Sequence, residues 1–106
     1  MKKRMALRLI IAAAAFGMTA PALADAALAG KYSCTACHSP DKKMLGPAYK
    51  DVAAKYQGDA SAPAQLAEKV KKGSSGVWGP VPMPPNASVP DDDVKKLVAW
   101  VLAGAK

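Results

Sequence analysis

One stretch near the C-terminus alternates apolar and polar positions with the period of a helix. Its apolar residues follow the i, i+3, i+4 spacing that places side chains on one helix face: Val94, Leu97, Val98, Val101 and Leu102. Three aspartates precede them and suit the positive end of a helix dipole, while Ser88 with Asp91 forms a candidate capping box. We therefore predict a helix that starts near Pro90 and stops before Gly104.

The same spacing predicts three shorter helices earlier in the chain. They cover residues 26–32, residues from Pro47 to just before Gly58, and residues 62–72 with Ser61 as the N-cap. Residues 73–86 contain three glycines and four prolines, so they cannot be helical, yet their apolar side chains indicate that they cover something hydrophobic. No strand or internal repeat is recognisable in the sequence. The predicted fold is all-α, with about four short helices.

The first 24 residues have the pattern of a secretory signal peptide. A basic start is followed by an apolar run over residues 6–18 and by the A-x-A cleavage pattern Ala22-Leu23-Ala24. A membrane anchor would need about 20 uninterrupted apolar residues. We therefore predict a signal peptide over residues 1–24, a mature domain over residues 25–106, periplasmic localisation, and no stable membrane insertion after cleavage.

Removal of that segment changes the charge balance. Of the 15 basic residues, four, including both arginines, lie in residues 1–24, so 11 lysines remain against eight acidic residues and the formal charge falls from +7 to +3. A nucleic-acid-binding protein is expected to keep a dense basic face with arginine. The composition excludes nucleic acid as a partner and is compatible with an acidic protein partner.

Both cysteines and the single histidine lie in one five-residue motif, Cys34-Thr35-Ala36-Cys37-His38. Cys-x-x-Cys-His is the spacing for covalent attachment of a c-type haem, in which each thiol adds to one vinyl group and the adjacent imidazole binds the iron. Two thiols three positions apart on a helical turn can reach two vinyls on one porphyrin edge. We predict one haem c attached through Cys34 and Cys37, with His38 as an axial ligand.

Two other uses of the cysteines are a redox dithiol and a zinc site. Thiol oxidoreductases place Cys-x-x-Cys at a helix N-terminus after a strand, where the thiol pKa is lowered, whereas these cysteines follow a predicted helix. A structural zinc site needs four ligands, and the chain has no further cysteine or histidine. The thiol-disulfide oxidoreductase remains the alternative enzymatic function.

A second axial ligand would have to be a methionine, and the predicted mature chain contains two. Met44 lies seven residues after Cys37, too close for the chain to reach the opposite haem face, and we expect it to fill the core. Met83 lies 45 residues after His38, within Pro82-Met83-Pro84-Pro85, whose fixed φ angles can hold a thioether in place. We predict Met83 as the second ligand. A five-coordinate iron in a gas-sensing or peroxidatic module is the alternative.

Residues 25–106 resemble the small monohaem cytochromes c of the c-551 or c8 type, which are electron carriers of bacterial respiration, including denitrification. The resemblance rests on the haem motif and on two longer stretches, KMLGPAYKDVAAKY at residues 43–56 and GVWGPVPMPPN at residues 76–86. It implies a single-domain, all-α cytochrome c fold around the haem, with iron bound by His38 and Met83.

The resemblance also implies roles for three residues around the ligands. The Pro47 carbonyl would accept a hydrogen bond from the His38 ring, Asn86 would contact the Met83 sulfur, and Trp78 would reach a haem propionate. The expected function is one-electron transfer and not enzymatic catalysis. The expected partners are redox proteins, a donor and an acceptor such as a nitrite reductase or a terminal oxidase, and the cytochrome is expected to be a monomer.

Overall fold

The structure is a computed structural model that describes the backbone of residues 21–106 and the side chains of residues 26–106. These residues form four α-helices and one short 3₁₀ helix, in the order α1 (Pro21–Lys31), the 3₁₀ helix (Cys34–Ala36), α2 (Tyr49–Lys55), α3 (Ala62–Lys72) and α4 (Asp91–Leu102). Within residues 21–106 there is no β-strand, and one isolated bridge joins Ser74 to Met83. The all-α prediction is confirmed.

Helix α1 begins five residues before its predicted start. Proline suits the first turn of a helix and the following stretch is rich in alanine, the strongest helix former, so the helix extends back to Pro21. The predicted signal cleavage position, after Ala24, consequently falls inside α1. Cleavage there stays a prediction, and residues 1–20 of the predicted signal peptide lie outside the described residues.

Helix α3 has the predicted bounds, but Ser61 does not cap it with its side chain. The Ser61 hydroxyl lies 2.6 Å from Asp59 Oδ1 and 2.6 Å from Gln65 Nε2, and the Ser61 backbone N–H donates to Asp59 Oδ1 at 2.9 Å. The two hydrogen bonds that Ser61 donates, from its hydroxyl and its backbone N–H, lower the pKa of the Asp59 carboxyl, because they stabilise its charged form. Asp59 thus organises the turn before α3. Ser61 occupies the predicted N-cap position, but its side chain does not make the capping hydrogen bond.

The predicted capping box of α4 is also wrong. Pro90 is the N-cap of the helix, and no side chain there accepts from the first helical N–H groups. The Asp91 carboxylate lies 3.0 Å from Lys71 Nζ at the end of α3. A contact between two helices therefore replaces the local capping interaction that Ser88 and Asp91 were expected to make.

Helix α4 is the centre of the fold and packs against α1, α2 and α3. Between α1, α2 and α4 lie the buried side chains Ala29, Tyr49, Leu97, Trp100 and Ala105. Between α3 and α4 lie Val89, Val94 and Val98, with Leu66, Ala67, Val70 and Leu102 packed against them. The apolar face predicted for α4 is confirmed, since its members lie in or against these two clusters. Among residues 21–106, no helix is long and apolar enough to cross a lipid bilayer.

Candidate functional site

The Cys-x-x-Cys-His motif lies on the 3₁₀ helix that directly follows α1. Ser33, the residue before it, has a left-handed backbone with φ of +63°, which turns the chain out of α1. The His38 N–H donates to the Cys34 carbonyl at 3.0 Å, so the histidine continues the same turn. Cys34 and Cys37 are both half-buried free thiols. The backbone therefore presents the two thiols and the imidazole from one short turn, as the spacing predicts.

One nitrogen of the His38 ring is occupied by the hydrogen bond that the resemblance implies. Nδ1 lies 2.7 Å from the carbonyl oxygen of Pro47. Because a carbonyl oxygen can only accept, this bond requires the proton on Nδ1 and leaves the Nε2 lone pair free. A neutral imidazole with a free Nε2 lone pair, oriented through its other nitrogen, is the usual arrangement of a metal-ligating histidine.

The ring of Tyr49 supports the His38 ring from the core. The two ring centroids lie 5.1 Å apart with an angle of 20° between the planes. The Tyr49 and Trp100 rings pack edge to face, with their centroids 5.4 Å apart. Burial raises the pKa of the Tyr49 phenol, so the ring stays neutral at physiological pH. The contact between Tyr49 and His38 could be seen only in the structure.

Gly46 leaves the space that the His38 ring occupies. A Cβ at this position would lie 2.5 Å from His38 Cε1 and 2.9 Å from Nδ1, inside van der Waals contact. The Gly46 N–H donates to the Cys37 carbonyl at 2.8 Å, which holds the glycine against the motif. Sequence reasoning did not identify this role of Gly46, although the Gly46-Pro47 pair within the stretch of family resemblance was a possible signal.

The environment of Cys34 does not activate a thiol. Burial raises the pKa of the Cys34 thiol, because desolvation disfavours the thiolate. Redox-active thiols of the Cys-x-x-Cys type have a lowered pKa. This direction weighs against the thiol-disulfide oxidoreductase that the sequence left open.

Met83 lies half-buried in the segment between α3 and α4, where its backbone pairs with Ser74. In the same segment Trp78 is 39% exposed, and Lys55 Nζ at the end of α2 lies 5.6 Å from its ring centroid. The Asn86 side chain donates to the Pro84 carbonyl at 3.2 Å. The contacts of Asn86 with the Met83 sulfur and of Trp78 with a propionate stay predictions.

Several large apolar side chains of the described residues are not covered by the protein itself: Met44, Leu45, Val77, Trp78 and Val81. Met44 is 46% exposed and belongs to neither buried cluster of the described residues, so its predicted place in the core stays a prediction. Exposed apolar residues concentrated in two short segments mark a surface that binds something apolar. Together with the free thiols, the oriented His38 ring and the space at Gly46, these side chains fit an apolar cofactor attached at the motif.

Comparisons with known proteins agree with this site. The family model described as cytochrome c oxidase, cbb3-type, subunit III matches residues 20–101. Cytochrome c-551 of Allochromatium vinosum is 60% identical over 81 residues, which cover 76% of this chain and 86% of that protein. The chain belongs to the class I monohaem cytochromes c.

Two further comparisons extend this result to the fold. Cytochrome c-552 of Nitrosomonas europaea is 53% identical over 91 residues, covering 86% of this chain and 88% of that protein. The crystal structure of wild-type Nitrosomonas europaea cytochrome c552 superposes with a TM-score of 0.73 over 74% of this chain and 98% of that chain. This cytochrome therefore has the fold of its family, its cofactor is covalently attached haem c, and it is an electron-transfer protein.

Proposed function

We propose that this cytochrome is a soluble periplasmic electron carrier whose haem iron is bound by His38 and Met83. Cys34 and Cys37 would form the two thioether bonds to the haem. When bound, the haem supplies a one-electron ferric/ferrous couple. The observation that carries the proposal is the orientation of His38, whose Nδ1 lies 2.7 Å from the Pro47 oxygen, so that Nε2 is the nitrogen available to the iron.

The protein residues around His38 favour electron transfer with little rearrangement. The imidazole is held through Nδ1 by Pro47 and through its face by Tyr49, and the absence of a Cβ at Gly46 leaves room for the ring. A ligand held at one nitrogen and one face keeps its orientation when the charge of the iron changes. This restriction supports a carrier, because a low cost of rearrangement speeds the transfer of an electron.

Met83 is the proposed second ligand because its backbone is held as well. Its N–H and carbonyl both bond to Ser74, and the flanking prolines restrict the segment further. A thioether ligand stabilises the ferrous state and raises the reduction potential relative to a second histidine. The proposed ligand set therefore suits an acceptor of electrons from low-potential donors.

The proposed docking surface for redox partners lies where one haem edge would reach the protein surface, among residues 80–85, Val77 and the residues near Cys34. We expect a small, mostly apolar contact with lysines at its rim, which allows rapid dissociation. The donor and the acceptor would be redox proteins of the same compartment, with a nitrite reductase or a terminal oxidase as candidate acceptors.

Replacement of Met83 tests the proposal directly. In the exported, haem-loaded protein, Met83→Ala should remove the methionine-to-ferric-iron absorption band and lower the reduction potential. Met44→Ala is the matched control, since Met44 is the other methionine of the predicted mature chain and should leave the absorption band in place. An identical ferric spectrum in wild type and Met83→Ala would contradict the ligand assignment and favour the five-coordinate alternative.

A further inference from the structure

The C-terminal end of α3 has a backbone conformation that only glycine adopts readily. Gly73 has φ of +84° and ψ of 171°, a region that is essentially restricted to glycine. Its N–H still donates to the Lys69 carbonyl at 2.8 Å, so the turn starts from the last hydrogen bond of the helix. The chain thus leaves α3 sharply at one residue.

This turn joins the helix end to Met83 through backbone atoms alone. The Ser74 N–H donates to the Met83 carbonyl at 3.1 Å, and the Met83 N–H donates to the Ser74 carbonyl at 2.8 Å. A Cβ on Gly73 would lie 2.6 Å from the Met83 carbonyl oxygen and 3.1 Å from Pro85 N. Because these are backbone atoms, a side chain at Gly73 would have to push the Met83 segment away from α3.

A second hydrogen bond holds the segment just after Met83. The Asn86 N–H donates at 2.9 Å to the carbonyl of Val70, in the last turn of α3. Pro84 and Pro85 lie between the two attachment points, and their fixed φ angles leave little freedom for the chain. The backbone of Met83 is therefore fixed relative to the last turn of α3.

We propose that Gly73 is a positioning residue that sets where the Met83 thioether lies. The missing Cβ allows the bridge between Ser74 and Met83, and the bridge fixes the point from which the Met83 side chain extends. This inference rests on the proposed ligation of the iron by Met83. It adds that the backbone at the end of α3, and not only Met83 itself, determines how strongly the sulfur binds the iron.

Gly73→Ala in the haem-loaded protein tests the inference. Added imidazole competes with a weak methionine ligand for the iron. A displaced Met83 should therefore raise the apparent affinity for imidazole about tenfold, since the ligand-free state becomes more populated. The methionine-to-ferric-iron band should weaken in parallel, while the thioether attachment at Cys34 and Cys37 stays intact.

Gly76→Ala is the matched control. Gly76 belongs to the same segment and also has a positive φ, +87°, but a Cβ there would meet nothing within 4 Å. It therefore shares the positive φ of Gly73 without a collision against Met83. Equal imidazole affinities for Gly73→Ala and Gly76→Ala would overturn the inference.

Met83→Ala and the double variant Gly73→Ala/Met83→Ala separate this inference from the proposed function. If Gly73 acts through Met83, its substitution adds no further increase in imidazole affinity once Met83 is absent. An added increase in the double variant contradicts the positioning role. If Met83→Ala itself binds imidazole as the wild type does, the proposed ligation fails, and this inference fails with it.

A measurement on the wild type covers the case in which Gly73→Ala does not fold. The amide protons of Ser74 and Met83 should exchange with solvent about tenfold or more slowly than that of Val81, because the bridge holds both of them while the Val81 N–H donates to no described residue. Exchange of the Ser74 and Met83 amides at the rate of Val81 would show that the bridge is open in solution and would overturn the inference.

Discussion

The two proposed iron ligands are held by different parts of the molecule. On the His38 side, the ligand ring itself is fixed by packing: it stacks on the Tyr49 ring, and Tyr49 contacts Trp100 in the core between α1, α2 and α4. On the Met83 side, the attachment is made by backbone hydrogen bonds to Ser74, while the neighbouring side chains Val77 and Val81 remain exposed.

This difference predicts how each ligand is lost. Because the His38 side shares its side chains with the core, it should open only when the whole domain unfolds. The Met83 side is joined to the rest of the protein at the last turn of α3 and at the start of α4, so it can open locally. Under mild denaturing conditions the bond from iron to Met83 should be lost before the bond from iron to His38.

The largest expected effect comes from Tyr49→Ala on the His38 side. Tyr49 is only 5% exposed, and truncation of a buried aromatic side chain costs about 3–5 kcal/mol of the free energy of unfolding. Urea unfolding of the haem-loaded protein, followed by helical circular dichroism, measures this loss.

Tyr56→Ala provides the control for Tyr49→Ala. Tyr56 follows α2 directly and is half-buried, so the same truncation should cost clearly less there. Similar losses for the two variants would mean that support of the His38 ring by Tyr49 contributes nothing beyond ordinary burial. The contrast between the two sides would then be weaker than the structure indicates.

A smaller effect is expected for Lys71→Ala, which loosens the connection from the Met83 side to α4. Lys71 Nζ donates to the Ala87 and Val89 carbonyls at 3.1 and 2.7 Å and lies 3.0 Å from the Asp91 carboxylate. The Lys71 side chain is 28% exposed, so water replaces part of what is lost, and we expect a cost of about 1–2 kcal/mol in the free energy of unfolding.

Lys72→Ala is the control for Lys71→Ala. The ammonium of Lys72 lies 3.7 Å from Glu68 in a pair whose side chains are 75% and 66% exposed, and such pairs contribute only about 0.3–0.5 kcal/mol. Faster amide exchange of Asn86 and Val89 in Lys71→Ala, but not in Lys72→Ala, would locate the effect on the Met83 side. A loss as large as that of Tyr49→Ala would contradict the contrast between the two sides.

Local sequence patterns predicted the elements of this fold better than the contacts between them. The bounds of α3 follow directly from the spacing of its apolar residues, and the haem motif was recognisable because its three functional residues are adjacent. The capping box of α4 was predicted incorrectly, because Lys71, sixteen or more residues earlier in the chain, supplies the interactions there. A local pattern contains no information about such a distant partner.

The same limit applies to the site. Pro47 was connected to His38 only through the family resemblance, and the structure contains that hydrogen bond. Gly46 and Gly73 were not identified as site residues, because a missing Cβ matters only when the atom that would collide with it is known. In both cases that atom belongs to a proposed ligand, the His38 ring or the Met83 backbone.

The smallest effect should be a pH-dependent one on the His38 side, from the hydrogen bond that joins α1 to the first turn of α4. The Tyr32 hydroxyl donates to Asp93 Oδ2 at 2.7 Å, and this bond raises the pKa of the Tyr32 phenol above 10.0. Since the folded state holds the proton more tightly than the unfolded state, the stabilisation is fully present below pH 10 and is lost as the pH rises through the raised pKa.

The difference in unfolding free energy between wild type and Tyr32→Phe should therefore be constant near neutral pH and shrink above about pH 10. A difference for Tyr32→Phe that persists at high pH would mean that the contribution of the hydroxyl does not depend on its proton.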